Sequence, residues 1–337
     1  MIRLAFVMSD LGIGGQSRVL LDILEALDPK VFQVELFHFS GGPFLDDIPS
    51  SVKRVQLDLP SRMQHVPFFL LKHLWKPPQL KNAGRFDLAV DFSSYWNGCA
   101  AAVNQLNAAK RIVWIHSDLE KKREYEWKYR LAWLLSSSKF KLYDHAICVS
   151  KGAADAFARI SRFPSEHVSV LPSVINADRL DRLSREAPVF EPDPQKVNLV
   201  FLGRLSKVKR CGLMLEEFRK ASGLREDLVL YLIGDGPERA RLEKQVSGYG
   251  LTGAVRFVGA QPNPYPLLSR MDALVLCSAY EGQGIVIQEA KHFGLDLIVS
   301  KNLEQYNEDV NGVEDLGAAM RIAGKKEARA PGQPADR

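Results

Sequence analysis

Four runs in the second half of the chain, "VNLVFLG" (197–203), "LVLYLIG" (228–234), "AVRFVG" (254–259) and "DALVLCS" (272–278), are apolar almost without interruption. A strand with one face in water alternates apolar and polar residues, whereas a strand covered on both faces does not. Between these runs lie "CGLMLEEFRKA" (211–221) and "PERARLEKQV" (237–246), whose apolar residues recur at helical spacing. Buried strands alternating with amphipathic helices predict a parallel sheet with helices on both faces. The first half repeats the pattern with "RLAFVMS" (3–9), "QVELFHF" (33–39), "DLAVDF" (87–92), "RIVWIH" (111–116), "HAICVS" (145–150) and "VSVLPS" (168–173). There "SRVLLDILEAL" (17–27) carries Val19, Leu20, Ile23, Leu24 and Leu27 on one stripe.

"REAPVFEPDPQK" (185–196) separates the halves, and its prolines 188, 192 and 194 break any periodic structure. The expected organisation is a first α/β domain over 1–184, a linker over 185–196 and a second domain over 197–322. Residues 323–337 are expected to form a polar, disordered tail. A length of 337 residues suits two domains that each bury a core. The N-terminus has neither the apolar length of a membrane span nor a cleavage site, so a cytoplasmic protein is expected. The cysteines 99, 148, 211 and 277 are scattered, with no C-x-x-C pair, and are read as reduced structural thiols rather than metal ligands.

The formal charge of +5 is uneven. Residues 110–151 hold ten Lys and Arg against five Asp and Glu, with Trp127, Tyr129 and Trp133 among them. "VPFFLLKHLWKPPQLK" (66–81) mixes Phe68, Phe69, Leu70, Leu71, Leu74 and Trp75 with Lys72 and Lys76. Such stretches suit an anionic membrane surface or an anionic substrate, and equally a solvated helix face over buried aromatics. Nucleic acid is not expected as a partner, because the basic excess is modest.

In doubly wound sheets, ligands sit beyond the carboxyl ends of the strands, so the loops there carry the functional reading. "GIGGQ" (12–16) follows the first strand, and its glycines let backbone amides approach an anion, or simply make a tight turn. It is not a dinucleotide fingerprint, because Ser17 stands where the third glycine is required. "LIGDGPER" (232–239) fails at Arg239 in the same way, which disfavours hydride transfer. "FLGRLSKVKRCG" (201–212) places Arg204 and Lys209 after a strand, a fork and a point charge suited to phosphate, or a solvated basic loop.

"SAYEGQGIVIQEAKHFG" (278–294) holds two carboxylates, Glu281 and Glu289. A helix is expected from about Ile285, with Val286, Ala290 and Phe293 inward and Gly294 as its stop. Carboxylates only accept hydrogen bonds, so they suit the hydroxyls of a sugar or ribose. The helix dipole alone could account for Glu281, but its help does not reach Glu289.

Glu281 and Glu289 with "EGQG" between them resemble the signature of the retaining GT-B glycosyltransferases of family four. "GIGGQSRVLLDIL", "RIVWIHSDL", "YDHAICVSKGAADAF", "VLPSVIN", "GRLSKVK" and "LIGDGPERARLEKQV" are similar to that family's segments in the same order, over residues 1 to about 300. The resemblance implies two Rossmann-like domains facing each other across a cleft, and a retaining, metal-independent transfer with no cofactor. The donor would be a nucleotide-diphosphate sugar, a UDP-sugar first, and the acceptor a glycan or lipid-linked molecule of cell-envelope, capsule, lipopolysaccharide or exopolysaccharide synthesis. The protein would then be cytoplasmic, either free or peripheral on the inner face of the cytoplasmic membrane. Arg204 and Lys209 would hold the diphosphate and Glu289 the ribose. Glu281 would hold the transferred sugar, with the amides of Gly282, Gln283 and Gly284. Gly14 and Gly15 would approach phosphates or acceptor, and His116 would contact the sugar. Departures are Gln283 where Phe is common, Arg210 where glycine usually follows the lysine, Asn176 in a place often taken by Asp, and no counterpart of the usual final helix. The rival readings are a nucleotide-sugar epimerase of the same fold and an inactive binding subunit.

Overall fold

The computed structural model describes residues 1–64 and 66–325, and the expectation for the tail falls largely outside them. The chain divides into two compact units, Met1–Val174 and Ile175 onward. The division falls ahead of the proline-rich stretch taken from sequence as the linker. The helix Ala177–Ser184 buries Leu180 in the second unit's core, so it joins that unit rather than closing the first.

The first unit is built on a seven-stranded sheet: β1 (Ile2–Met8), β2 (Phe32–His38), β3 (Lys53–Gln56), β4 (Arg85–Asp91), β5 (Asn107–Ile115), β6 (His145–Cys148) and β7 (Val168–Val170). All neighbours pair in parallel, in the order β3-β2-β1-β4-β5-β6-β7. The second unit has β8 (Val197–Leu202), β9 (Leu228–Ile233), β10 (Val255–Gly259), β11 (Ala273–Leu276) and β12 (Asp296–Val299), also parallel, in the order β10-β9-β8-β11-β12. Both orders contain the 3-2-1-4-5 run of a doubly wound sheet. Each sheet reverses winding once, between β1 and β4 and between β8 and β11.

The continuous apolar runs explain the burial. β9 is covered from end to end, and β8 is buried at all but its last residue. Two strands were not foreseen. β3 ("KRVQ") is a polar, largely exposed edge strand, and β12 ("DLIV") is a four-residue edge strand that exposes its first residue. Both lack the long apolar run that made the central strands legible. Each unit has its own buried cluster of apolar side chains. All four thiols are free and buried. Among the described residues no helix is long and apolar enough to cross a membrane.

Candidate active site

In the second unit, the loops after β8 and β11 leave the sheet on either side of its reversal point, where two neighbouring strands send their helices to opposite faces and open a crevice. The loop after β8 is fixed by its neighbour after β9. Gly203 N–H donates to the Ile233 carbonyl (3.0 Å) and Leu205 N–H to that of Asp235 (2.9 Å). A Cβ on Gly234, whose φ is +142°, would lie 1.9 Å from the Gly203 carbonyl oxygen. The glycine of "LIGDG" therefore serves contact between two loops, not a dinucleotide phosphate. Arg204 follows, exposed and with no hydrogen-bond or ion-pair partner among the described residues. Lys207–Lys209 makes one 3-10 turn, and Arg210, at φ 50° and ψ 34°, swings the chain into the helix Cys211–Ser222. That left-handed conformation is why glycine is the residue expected at this place.

The loop after β11 is tied to this one. Ala279 N–H donates to the Val208 carbonyl (2.7 Å), and the Cys277 thiol to the carbonyls of Lys209 (3.6 Å) and Arg210 (3.4 Å). Asn302 Nδ2 holds the Ser278 and Ala279 carbonyls at 3.0 and 3.1 Å. The result is an ion pair that joins the two loops: Lys209 Nζ lies 2.5 Å from Glu281 Oε1, both side chains mostly buried. Sequence assigned these two residues to different parts of a donor, and the structure places them in direct contact.

The helix Ile285–His292 starts at Gly284, whose φ of 72° and ψ of 63° favour glycine. Gly282 and Gln283 are buried in the turn before it. Glu289, one turn into the helix, is only 2% exposed and accepts a hydrogen bond from Tyr265 Oη at 2.9 Å. Tyr265, in the short helix Tyr265–Leu268, was missed in the sequence. The one available signal was an aromatic set between two prolines in "PNPYPLL". His292, in the last turn, bonds Asp181 at 2.7 Å and so fixes the far end of the same helix.

Gly14, Gly15 and His116 belong to the first unit. Gly14 caps the helix Gly15–Ala26 at φ 176°, an extended conformation open to any residue, and a Cβ there would meet no atom within 4 Å. Neither strain nor packing requires glycine at 14. His116 follows β5, with its ring centroid 4.4 Å from that of Phe92. Its Nε2 is buried without a hydrogen-bond partner among the described residues. Burial drives its pKa down to about 3, against a bond to the Phe92 backbone, so the ring is neutral near pH 7. A neutral imidazole with one unpartnered ring nitrogen can exchange a hydrogen bond with a hydroxyl but supplies no fixed charge. Among the described residues no group of three or more His, Cys, Asp or Glu is placed to hold a metal ion.

Two family descriptions match the chain, "Glycosyltransferase Family 4" over residues 13–179 and "Glycosyl transferases group 1" over 185–313. The chain belongs to the GT-B glycosyltransferases. This glycosyltransferase is 23% identical to EpsF of Bacillus subtilis (strain 168) over 312 residues, 90% of this chain and 80% of that one. It is 26% identical over 168 residues to the lipopolysaccharide core biosynthesis glycosyltransferase LpsE of Rhizobium meliloti (strain 1021), 49% of this chain and 46% of that one. Among solved structures, HepE of Anabaena in complex with UDP and glucose covers 95% of this chain with a TM-score of 0.71 at 19% identity, and 89% of HepE is matched. WaaG, a glycosyltransferase involved in lipopolysaccharide biosynthesis, covers 95% with a TM-score of 0.70 at 17% identity, again over 89% of its own length. These likenesses establish the doubly wound GT-B fold of the glycosyltransferase.

Proposed function

We propose that this glycosyltransferase moves a sugar from a nucleotide-diphosphate sugar, a UDP-sugar first, to a lipid-linked envelope or exopolysaccharide acceptor, retaining anomeric configuration and using no metal. The observation that carries this reading is the Lys209–Glu281 pair at the reversal point of the second sheet, with Arg204 in the same loop as Lys209 and Glu289 in the helix after the glycine turn. A diphosphate arriving there meets one exposed guanidinium and one ammonium. Taking over Lys209, it releases Glu281 to accept hydrogen bonds from the sugar's hydroxyls. Glu289 accepts from the ribose with Tyr265 holding its other side, and His116 offers its free nitrogen to the sugar.

In the reaction the bond between the anomeric carbon and the diphosphate oxygen breaks, and the acceptor oxygen bonds that carbon from the same face. The acceptor's proton passes to the leaving phosphate oxygen. The charge that develops on the diphosphate is held by Arg204 and Lys209, so the chemistry rests on leaving-group stabilisation and positioning. The nucleotide assignment is supported by HepE, whose structures contain UDP, glucose or UDP-glucose. The acceptor class is supported by LpsE and by the exposed Phe69, Leu70, Leu74, Trp127, Leu131 and Leu134, set among lysines and an arginine of the first unit. Such a surface suits peripheral binding to an anionic membrane.

The test is a thermal-shift series with UDP-, GDP- and ADP-sugars in EDTA, followed by NMR of the anomeric proton in the product. A UDP-sugar should give the largest shift, and an α-linked donor should give an α-linked product. Inverted product, or turnover abolished by EDTA, overturns the mechanism. A new sugar formed from donor alone indicates an epimerase, and binding without transfer or hydrolysis a binding subunit.

A further inference from the structure

Next to the strand-end loops of the first unit lies a cavity of about 260 Å³ that the donor site does not use. Its walls come from the turn after β4, the helix Trp127–Ser136 and the 3-10 turn Ser137–Leu142. Tyr95 on its rim touches the glycine loop's helix, its hydroxyl 3.4 Å from Gln16 Oε1.

The charged side chains that line the cavity or stack on its rings are cations, with the carboxylates of Asp91 and Glu126 close by. Among the described residues that line it none is acidic. Lys139 lines it, 3% exposed, and among the described residues makes no hydrogen bond or ion pair. Asp91, the carboxylate that acts on it, is already served by Tyr143 Oη at 2.5 Å and Ser93 N–H at 3.0 Å. Burial lowers the Lys139 pKa to about 8, which still leaves most of it charged at neutral pH. Two more cations stack on the lining rings. Lys122 Nζ stands 5.0 Å from the Tyr95 centroid and 5.1 Å from that of Tyr129, and Arg123 Cζ stands 5.3 Å from that of Trp133. Lys139 Nζ, 5.5 Å from the Phe140 ring centroid and near the buried Asp91, has no hydrogen-bond acceptor among the described residues, so its N–H groups are left to donate to an anion in the cavity.

The helix that forms one wall is apolar on both sides. Tyr129, Ala132, Trp133 and Ser136 line the cavity at i, i+3, i+4 and i+7, while Trp127, Leu131 and Leu134 face outward and Leu134 is 71% exposed. Leu135 belongs to both, lining the cavity and lying exposed. Exposed apolar residues set beside Lys128 and Arg130 on a surface helix mark a contact face for an apolar, anionic partner.

We propose that the cavity binds the phosphate group of a phosphate ester whose apolar tail lies along the outer face of the helix Trp127–Ser136, the form that a lipid-borne acceptor takes. The inference rests on the lipid-linked acceptor reading and adds where its phosphate is held. Lys139 neutralises the phosphate, and Lys122 and Arg123 guard the entrance on their aromatic platforms.

The experiment titrates the full chain with octyl phosphate below its micelle concentration, with glucose 6-phosphate as the tail-free phosphate and octanol as the phosphate-free tail. Octyl phosphate should saturate one site and bind at least tenfold more tightly than either half-ligand. Lys139→Gln should weaken it at least tenfold, and Ala132→Trp, which fills the cavity from an exposed position, should do the same. The urea unfolding step of the first unit, read by tryptophan fluorescence on the same samples, certifies that this unit is folded, and UDP affinity should stay unchanged. Wild-type octyl phosphate affinity in either folded variant, or no saturable binding in the parent, overturns the proposal. Glucose 6-phosphate binding as tightly as octyl phosphate overturns the tail. If Lys139→Gln does not fold, Ala132→Trp decides alone. Failure of UDP binding with octyl phosphate binding intact sinks the donor reading and leaves this one standing.

Discussion

Lys209 and Glu281 neutralise each other across 2.5 Å, so each is held back from a ligand until the pair opens. Glu281→Gln should therefore raise affinity for bare UDP by a few-fold, because Lys209 no longer has to leave a carboxylate, while turnover falls at least tenfold. Lys209→Met should weaken UDP at least tenfold, about 1.4 kcal/mol or more. Titration calorimetry with UDP separates them, and equal weakening in both variants contradicts the assigned roles. Tyr265→Phe should loosen Glu289 and cost about 1 kcal/mol of nucleotide affinity, the usual worth of one hydrogen bond. For His116 the sign is set by burial. A folded pKa near 3 lies below the free value of 6.5, so its contribution is intact above pH 6.5 and stability is lost as pH falls toward 3. The slope has an upper limit of about 1.4 kcal/mol per pH unit, and the partly exposed ring will fall short of it. Urea midpoints at pH 7.5 and 4.5 should draw closer in His116→Asn, and an unchanged gap would count against a neutral buried ring.

At the scale of elements, the strand-end loops of the second unit owe their shape to one another. Gly234 abuts the Gly203 carbonyl and Ala279 donates to Val208, so two loops distant in sequence hold the one that carries Lys209. Gly234→Ala should disturb this site without touching a ligand, and should be among the more damaging single changes here. Arg210 sits at φ 50°, where a side chain costs about 1–2 kcal/mol relative to an unstrained conformation. Arg210→Gly is expected to recover about 1 kcal/mol of stability, read as a higher urea midpoint, against a small loss of attraction for the diphosphate. A lower midpoint would show that the arginine's own contacts outweigh the strain.

For the whole molecule, two separate cores predict two unfolding steps. All five tryptophans, at 75, 96, 114, 127 and 133, lie in the first unit. Tryptophan fluorescence should then follow that unit alone, while far-UV circular dichroism follows both. UDP at 100 times its dissociation constant should add about 2.7 kcal/mol to the circular-dichroism step of the second unit and leave the fluorescence step in place. A fluorescence step that moves equally would show that the nucleotide is held by the first unit as well.

The apolar runs of the central strands and the helical stripes between them determined the fold class, because burial on both faces leaves no other reading of such a pattern. Motif order determined the family, since Arg204, Lys209 and Glu281 lie in loops after strands, and Glu289 in the helix that follows one, wherever the sheets are drawn. The edge strands β3 and β12 escaped because edges need little apolar length. Tertiary structure alone decided what these residues touch. Spacing gives no distance across 72 residues, so the Lys209–Glu281 pair had to come from two loops bonded through Ala279 and Val208. The partner of Glu289, the burial that keeps His116 neutral and the cationic cavity around Lys139 arise the same way. Each depends on desolvation and contact between segments far apart in the chain, quantities that exist only once the chain has folded.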